Sequence, residues 1–218
     1  MSYVTILILA STVQMAAPVP ECSSDISIIG LLSKAASSKH RTPPGTSGPT
    51  PVSVEMWVQS IPSVDPAKLE FDLFLYLSVL WTDPALAFGS ASPCNSNITF
   101  GDEIVSHIWN PSLAFIDALS ANIVNSPVPN VFVMIYENGT VWMNYRMKIK
   151  GPCAGSGTTL RCSLTLESYK YSAADINLRW RTIADPVIVL KQITIPNYSL
   201  VSINTIRTEV VRLIHQET

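Results

Sequence analysis

The residues best suited to chemistry lie between Cys153 and Trp180, in CAGSGTTLRCSLTLESYKYSAADINLRW. Leu164 and Leu166 alternate there with Ser163, Thr165, Glu167 and Tyr169. A side-chain period of two puts Glu167 and Tyr169 on one side of a strand, with Tyr171 just beyond. A carboxylate beside aromatic rings, on a strand whose other face is buried, can hold an organic cation by charge and by ring quadrupole. The same residues also fit a plainer role, with tyrosines packed on a sheet surface and Glu167 a solvated strand charge. Covalent chemistry has less to build on. Nucleophilic catalysis needs a base within hydrogen-bond reach of a nucleophile. His40, His107 and His215 sit in a loop, beside a turn and near the C-terminus, none in a recognised catalytic context. Asp102-Glu103 is more simply a pair of solvated charges. The chain reads as a non-enzyme. With no CxxC spacing and scattered histidines, neither a metal site nor a cofactor is expected.

The 218 residues are enough for one sizeable domain. Charged residues make up 14% and hydrophobic ones 47%, which permits a packed core and argues against disorder over most of the length. The formal charge of −2 carries no basic excess, so nucleic acid is not an expected partner. The four cysteines are Cys22, Cys94, Cys153 and Cys162; three N-x-S/T sequons mark Asn97, Asn138 and Asn197 as glycosylation acceptors. Residues 4–17 are apolar but too short to span a bilayer. Ala16-Ala17 resembles a signal-peptide exit, so residues 1–20 are expected to be a leader and 21–218 the folded domain. These features together favour the secretory pathway and an oxidising compartment. No later run is long and apolar enough for a membrane helix.

The elements that must position Glu167 and Tyr169 follow from pattern. Residues 24–37 form an amphipathic helix, with Ile28, Ile29, Leu32 and Ala35 at helical spacing. Residues 40–51 are a Pro/Gly/Ser loop. The period then becomes two: Val52, Val54, Met56 and Val58 share one strand face, and a Pro-flanked turn follows at 62–66. Next comes a long strand with Leu69, Phe71, Leu73, Leu75, Leu77, Val79 and Trp81 on one face and Tyr76 on the other, where it needs a partner surface. Residues 89–101 are a polar loop, and 112–122 a short helix or irregular strand. Asn138-Gly139 between 131–136 and 141–149 predicts a hairpin. Further strands are expected at 163–169, 176–180, 187–195 and 205–214. Short strands and a single N-terminal helix indicate an all-β antiparallel sandwich.

Several landmarks then line up in order. They are the helix before Pro51-Val52-Ser53-Val54; Trp81-Thr82-Asp83 followed by Leu86; Ile108-Trp109-Asn110-Pro111; Asn138-Gly139-Thr140-Val141; the Cys153/Cys162 pair; and Glu167-Ser168-Tyr169-Lys170-Tyr171. Ile193-Thr194-Ile195-Pro196 and Tyr198-Ser199-Leu200-Val201 follow. In these the chain resembles the extracellular ligand-binding domain of Cys-loop receptors, the pentameric neurotransmitter-gated ion channels, and is most similar to the GABA- and glycine-receptor branch. The resemblance covers nearly all of the chain beyond residue 24. It implies a subunit of a homo- or hetero-pentamer, extracellular or at the cell surface, holding a small amine or amino-acid neurotransmitter between neighbours. It makes Tyr169 the binding-loop aromatic, Glu167 the acid that meets the agonist's amine, and Tyr76 the aromatic supplied by the adjacent subunit. Tyr171 is either a further aromatic of that loop or a packing residue. It also implies a Cys153–Cys162 disulfide; Cys22 and Cys94 have no assigned partners. Trp57, Trp81, Trp109 and Trp180 read as core or loop anchors.

The chain departs from that family in four places. Eight residues separate Cys153 from Cys162, fewer than in the family's loop, and its Phe-Pro-x-Asp turn is missing. Ser112 replaces the aspartate expected after Trp-x-Pro. Ile116 stands where nicotinic-type subunits carry a tyrosine. Residues 205–214 look like the family's ninth strand, with the capping loop, tenth strand and membrane helices not in the chain, so a truncated form is expected and the membrane is reached only through missing or partner segments. Two alternatives remain open. One is a soluble secreted pentamer similar to acetylcholine-binding proteins, and the other a non-binding regulatory or dominant-negative subunit.

Overall fold

The computed structural model of the chain describes residues 22–36, 42–45, 47–156, 159–183 and 185–208. The expected leader at 1–20, His40, His215 and most of the strand expected at 205–214 lie outside the described residues; 205–208 form no strand.

The fold is built around β2 (Glu70–Thr82), flanked on one side by β1 (Thr50–Asp65) and on the other by β7 (Thr140–Ser156). Alternation along these strands sorts the side chains cleanly. Met56, Leu77 and Tyr145 stand in one cross-strand row, and Val54, Val79 and Met143 in the next. With Phe71, Leu73, Leu75, Trp81, Val141 and Ile149 they form the buried face of a large sheet. The hairpin partner β6 (Val131–Tyr136) and then β3 (Asn97–Phe100) extend it, placing Val133, Ile135 and Ile98 on that same face. Short strands β5 (Ser120–Ile123) and β8 (Thr159–Cys162) also pair with β7. The second layer is a two-stranded sheet of β4 (Leu113–Phe115) and β9 (Leu166–Ser168), together with the segment holding Ile104, Ile108 and Trp109. The architecture is therefore the expected β-sandwich. Helix α1 (Asp25–Ala36) closes it with Ile28 and Leu32 buried, while Ile29, expected on the same stripe, is exposed.

The sequence reading needs several corrections. Pairing is not wholly antiparallel. β10 (Ile176–Trp180) and β11 (Val187–Val189) both run parallel to β1, along its remaining edge. The turn expected at 62–66 is strand up to Asp65. The β1–β2 register shifts between Val58 and Ser60 and again before Ser63, so Pro62, which has no N–H to give, sits at an irregularity of the ladder. The strands expected at 163–169 and 187–195 shorten to β9 and β11. Leu69, expected on the apolar face, is exposed at φ 56° in the turn before β2.

The hairpin at 137–140 forms as expected. Asn138 Oδ1 accepts from Thr140 N–H at 2.9 Å, and Gly139 takes φ 81°. A Cβ on Gly139 would collide with the Asp83 carbonyl, so the turn needs glycine for space as well as backbone freedom. Asp83 in turn caps the single turn Pro84–Leu86 by accepting from Ala85 N–H at 3.0 Å. Both cysteine pairs are joined. Cys153–Cys162 links directly opposed residues of β7 and β8, and Cys22–Cys94 ties the start of α1 to the loop before β3. Hydrogen bonds Cys94 N to Ser23 O (3.0 Å) and Ser23 N to Ser92 O (2.8 Å) flank the second bridge.

Between β10 and β11 the chain leaves β1 and returns to it. Arg181 N–H donates to Val54 O at 2.9 Å, and Met56 N–H donates to Pro186 O at 2.8 Å. Arg181 Nη1 meets Glu55 Oε2 at 2.8 Å, and Glu55 is 2% exposed with Oε1 unpartnered. Removing only the guanidinium would strand a buried carboxylate. Arg181→Ala should therefore cost about 3 kcal/mol in urea unfolding, while Arg181→Met combined with Glu55→Leu should cost much less. Equal losses for the single and double variants would show that the pair does not govern this edge.

Candidate functional site

β9 pairs with β4 in the register Leu113↔Ser168, Ala114↔Glu167 and Phe115↔Leu166. Leu166 and Phe115 face the core, so Glu167 faces away from it, half-buried. Tyr169, one residue beyond β9, is 71% exposed and lies near the Tyr145 phenol. Glu167 and Tyr169 thus lie two residues apart at the C-terminal end of β9.

Their position is held by bonds between two loops. Ser168 Oγ donates to Pro111 O at 2.7 Å and accepts from Tyr171 N–H at 3.0 Å. Tyr169 N–H donates to Ser112 O at 3.1 Å. At the other end of β9, the N–H and hydroxyl of Thr165 each donate to Asp117 at 2.8 Å. That clasp replaces the first half of the expected strand. Tyr171 turns inward, its ring 5.5 Å from Trp109, which stands edge-on to Trp81 at 5.7 Å. Lys170 Nζ lies 5.2 Å from the centre of the Tyr171 ring. Tyr171 therefore supports the loop from beneath, and Trp81 and Trp109 are the core anchors expected of them.

Tyr145 was not singled out by sequence. It occupies the apolar face of β7, in a series otherwise of Val141, Met143, Met147 and Ile149, and its hydroxyl donates to the Met143 sulfur. Burial pushes its phenol up to about 12, with Tyr169 close enough to add to the shift. A lone phenol in an aliphatic strand face is the signal that could have marked it.

Tyr76 lies on the opposite face of the large sheet, half-buried, in one cross-strand row with Trp57 and Arg146. Trp57 is thus not a core anchor, because it points away from the core beside Tyr76. Arg146 Nε donates to Gln59 Oε1 at 2.9 Å and its Nη1 to Asn130 Oδ1 at 3.4 Å, which fixes the guanidinium next to the two rings. One row along, Asn144 Nδ2 donates to Ser78 Oγ at 2.7 Å, and Glu55 completes that buried polar row. Because β2 side chains alternate between faces, one chain cannot bring Tyr76 to Tyr169. Sequence periodicity placed Tyr76 correctly but did not single out Arg146, whose partners are Gln59 on β1 and Asn130 in the segment before β6.

The sequon asparagines differ in setting. Asn97 is half-buried at the start of β3, Asn138 is exposed in its turn, and Asn197 is exposed at φ 63°. Among the described residues no cluster of three or more His, Cys, Asp or Glu could hold a metal ion, and no helix is long and apolar enough to cross a membrane.

The family model for the neurotransmitter-gated ion-channel ligand binding domain matches residues 29–218. The chain is 38% identical over 213 residues to acetylcholine-gated chloride channel subunit acc-1 of Caenorhabditis elegans, covering 95% of this chain and 45% of that protein. Its identity to subunit acc-2 of the same organism is 37%, over 86% of this chain and 43% of that protein. It is 31% identical to gamma-aminobutyric acid receptor subunit rho-3 of Rattus norvegicus, over 64% of this chain and 31% of that subunit. The chain thus spans less than half the length of these curated relatives.

The Tyr145 phenol supplies a pH test. Its proton is held to about pH 12 in the folded chain but only to about 10 in the unfolded one. The stability this contributes is complete below pH 10 and is lost as pH rises towards 12. Urea midpoints across that interval should fall more steeply for the parent chain than for Tyr145→Phe; parallel curves would refute the assignment.

Proposed function

The chain belongs to the family of neurotransmitter-gated ion-channel ligand-binding domains, and on that premise we propose that it binds a small amine transmitter at the junction between neighbouring subunits of a pentamer. The observation that carries this reading is the opposition of two incomplete patches. Glu167 on the outer face of the small sheet and the exposed Tyr169 just past it form one patch, and Tyr76, Trp57 and Arg146 on the far face of the large sheet form the other. Neither patch alone surrounds a cation. A neighbour's Tyr76 face laid against Tyr169 would enclose an ammonium between rings, with Glu167 supplying the countercharge.

Each element then has a role set by its chemistry. The Tyr169 ring offers its π face to the cation, a contact worth about 0.5–1 kcal/mol in water and about 2 kcal/mol when a neighbour excludes solvent. Arg146, pinned by Gln59 and Asn130, faces the carbonyl end of the ligand with a fork of donors. Tyr171 and Trp109 keep the loop from folding back. A choline ester is the preferred ligand, since the names of two relatives specify acetylcholine.

A mixing experiment tests the shared site. Tyr169→Ala and Tyr76→Ala should each weaken acetylcholine binding by about tenfold or more in calorimetric titration of the assembled chain. Co-assembling the two variants should restore a fraction of full-affinity sites, because some junctions then pair an intact Tyr169 with an intact Tyr76. If mixtures bind no better than either variant, the site does not span two copies.

A further inference from the structure

Ser112 is the residue at which the chain departs from the expected aspartate, and it adopts φ 51°, a left-handed conformation unfavourable for any residue with a Cβ. Two residues upstream, Asn110 Oδ1 accepts from Ser112 N–H at 3.0 Å and from Ser112 Oγ at 3.3 Å, closing a turn around Pro111. That turn presents two carbonyls in succession towards the edge of β9. The Pro111 carbonyl takes the Ser168 hydroxyl at 2.7 Å, and the Ser112 carbonyl takes the Tyr169 N–H at 3.1 Å.

We propose that Asn110 is a positioning residue for ligand recognition. Its side-chain oxygen holds the left-handed turn at Ser112, and the turn in turn fixes the backbone at Ser168 and Tyr169. Asn110 touches no ligand itself. The inference deepens the reading that Tyr169 contacts the transmitter and rests on it for its functional consequence, though not for its structural one.

Two measurements on the whole 218-residue chain separate these levels. The first is hydrogen exchange of the Tyr169 amide. Asn110→Ala should speed it by about tenfold, Asn110→Asp should leave it within about threefold because a carboxylate oxygen keeps the acceptor, and Ser112→Gly should offset much of the Asn110→Ala effect by adopting φ > 0 freely. The second is acetylcholine affinity, which should follow the same order, with Asn110→Ala about tenfold weaker and Asn110→Asp near parent. Unchanged exchange at Tyr169 in Asn110→Ala overturns the proposal whatever the ligand does, as does an Asn110→Asp variant that behaves like Asn110→Ala. Altered exchange with unaltered affinity, in a chain whose Tyr169→Ala variant does lose binding, overturns the functional half. If Tyr169→Ala itself binds normally, the ligand reading falls while the exchange result still decides the role of Asn110. Should Asn110→Ala fail to fold, Asn110→Gln, which keeps the amide but displaces its oxygen, takes its place in both comparisons.

Discussion

Everything in this domain depends on the strict alternation of side chains along β2. Neighbouring residues of one strand face opposite ways, so Leu75 and Leu77 must go to the core and Tyr76 must go to the other side. β1 up to Val58 and β7 follow the same rule, and the large sheet acquires one face that is apolar apart from the Tyr145 phenol and one mixed face of aromatic and polar groups. The apolar face is where the small sheet and its loops are laid down. The mixed face carries Trp57, Tyr76 and Arg146. A slip of one residue in either pairing would exchange the two faces, and the burial of Leu75, Val79 and Met143 sets that register firmly.

The two layers are joined most firmly by aromatic contact. Trp81 on β2 meets Trp109, and Trp109 meets Tyr171, so a continuous line of rings runs from the central strand to the loop that carries Tyr169. Truncating a ring in such a line typically costs roughly 3–5 kcal/mol, well above any single loop hydrogen bond. The hydrogen bonds through Ser168, Thr165 and Asp117 therefore set direction and spacing more than cohesion. On the mixed face the balance is reversed. Glu55, Ser78 and Asn144 are buried polar groups, and such a row tolerates few substitutions because each lost partner leaves another unsatisfied.

What could be read in advance was whatever local chemistry determines. Asn138-Gly139 declared its turn because positive φ is inexpensive there, and β2 declared both of its faces by alternation over thirteen residues. The helix was legible in outline, though not Ile29, whose burial depends on what lies beside it. Tertiary pairings were not legible. β10 and β11 pair with a strand more than a hundred residues earlier, and Cys22 meets Cys94 across a separation of 72. Pro62 misled because proline signals a turn in isolation, whereas a ladder already shifting register accommodates it. Of the candidate site, the Glu167–Tyr169 grouping and the outward setting of Tyr76 were visible. The grouping of Trp57 and Arg146 around Tyr76 was not, since it arises only from the pairing of β1, β2 and β7.

The Cys22–Cys94 bond makes a covalent ring that encloses α1, β1 and β2. A protease cutting the Pro-rich connector between Thr42 and Gly45 would open that ring without dividing the molecule. The severed segment bearing the helix would stay fastened through Cys94, and the two pieces would migrate as one until a reductant was added.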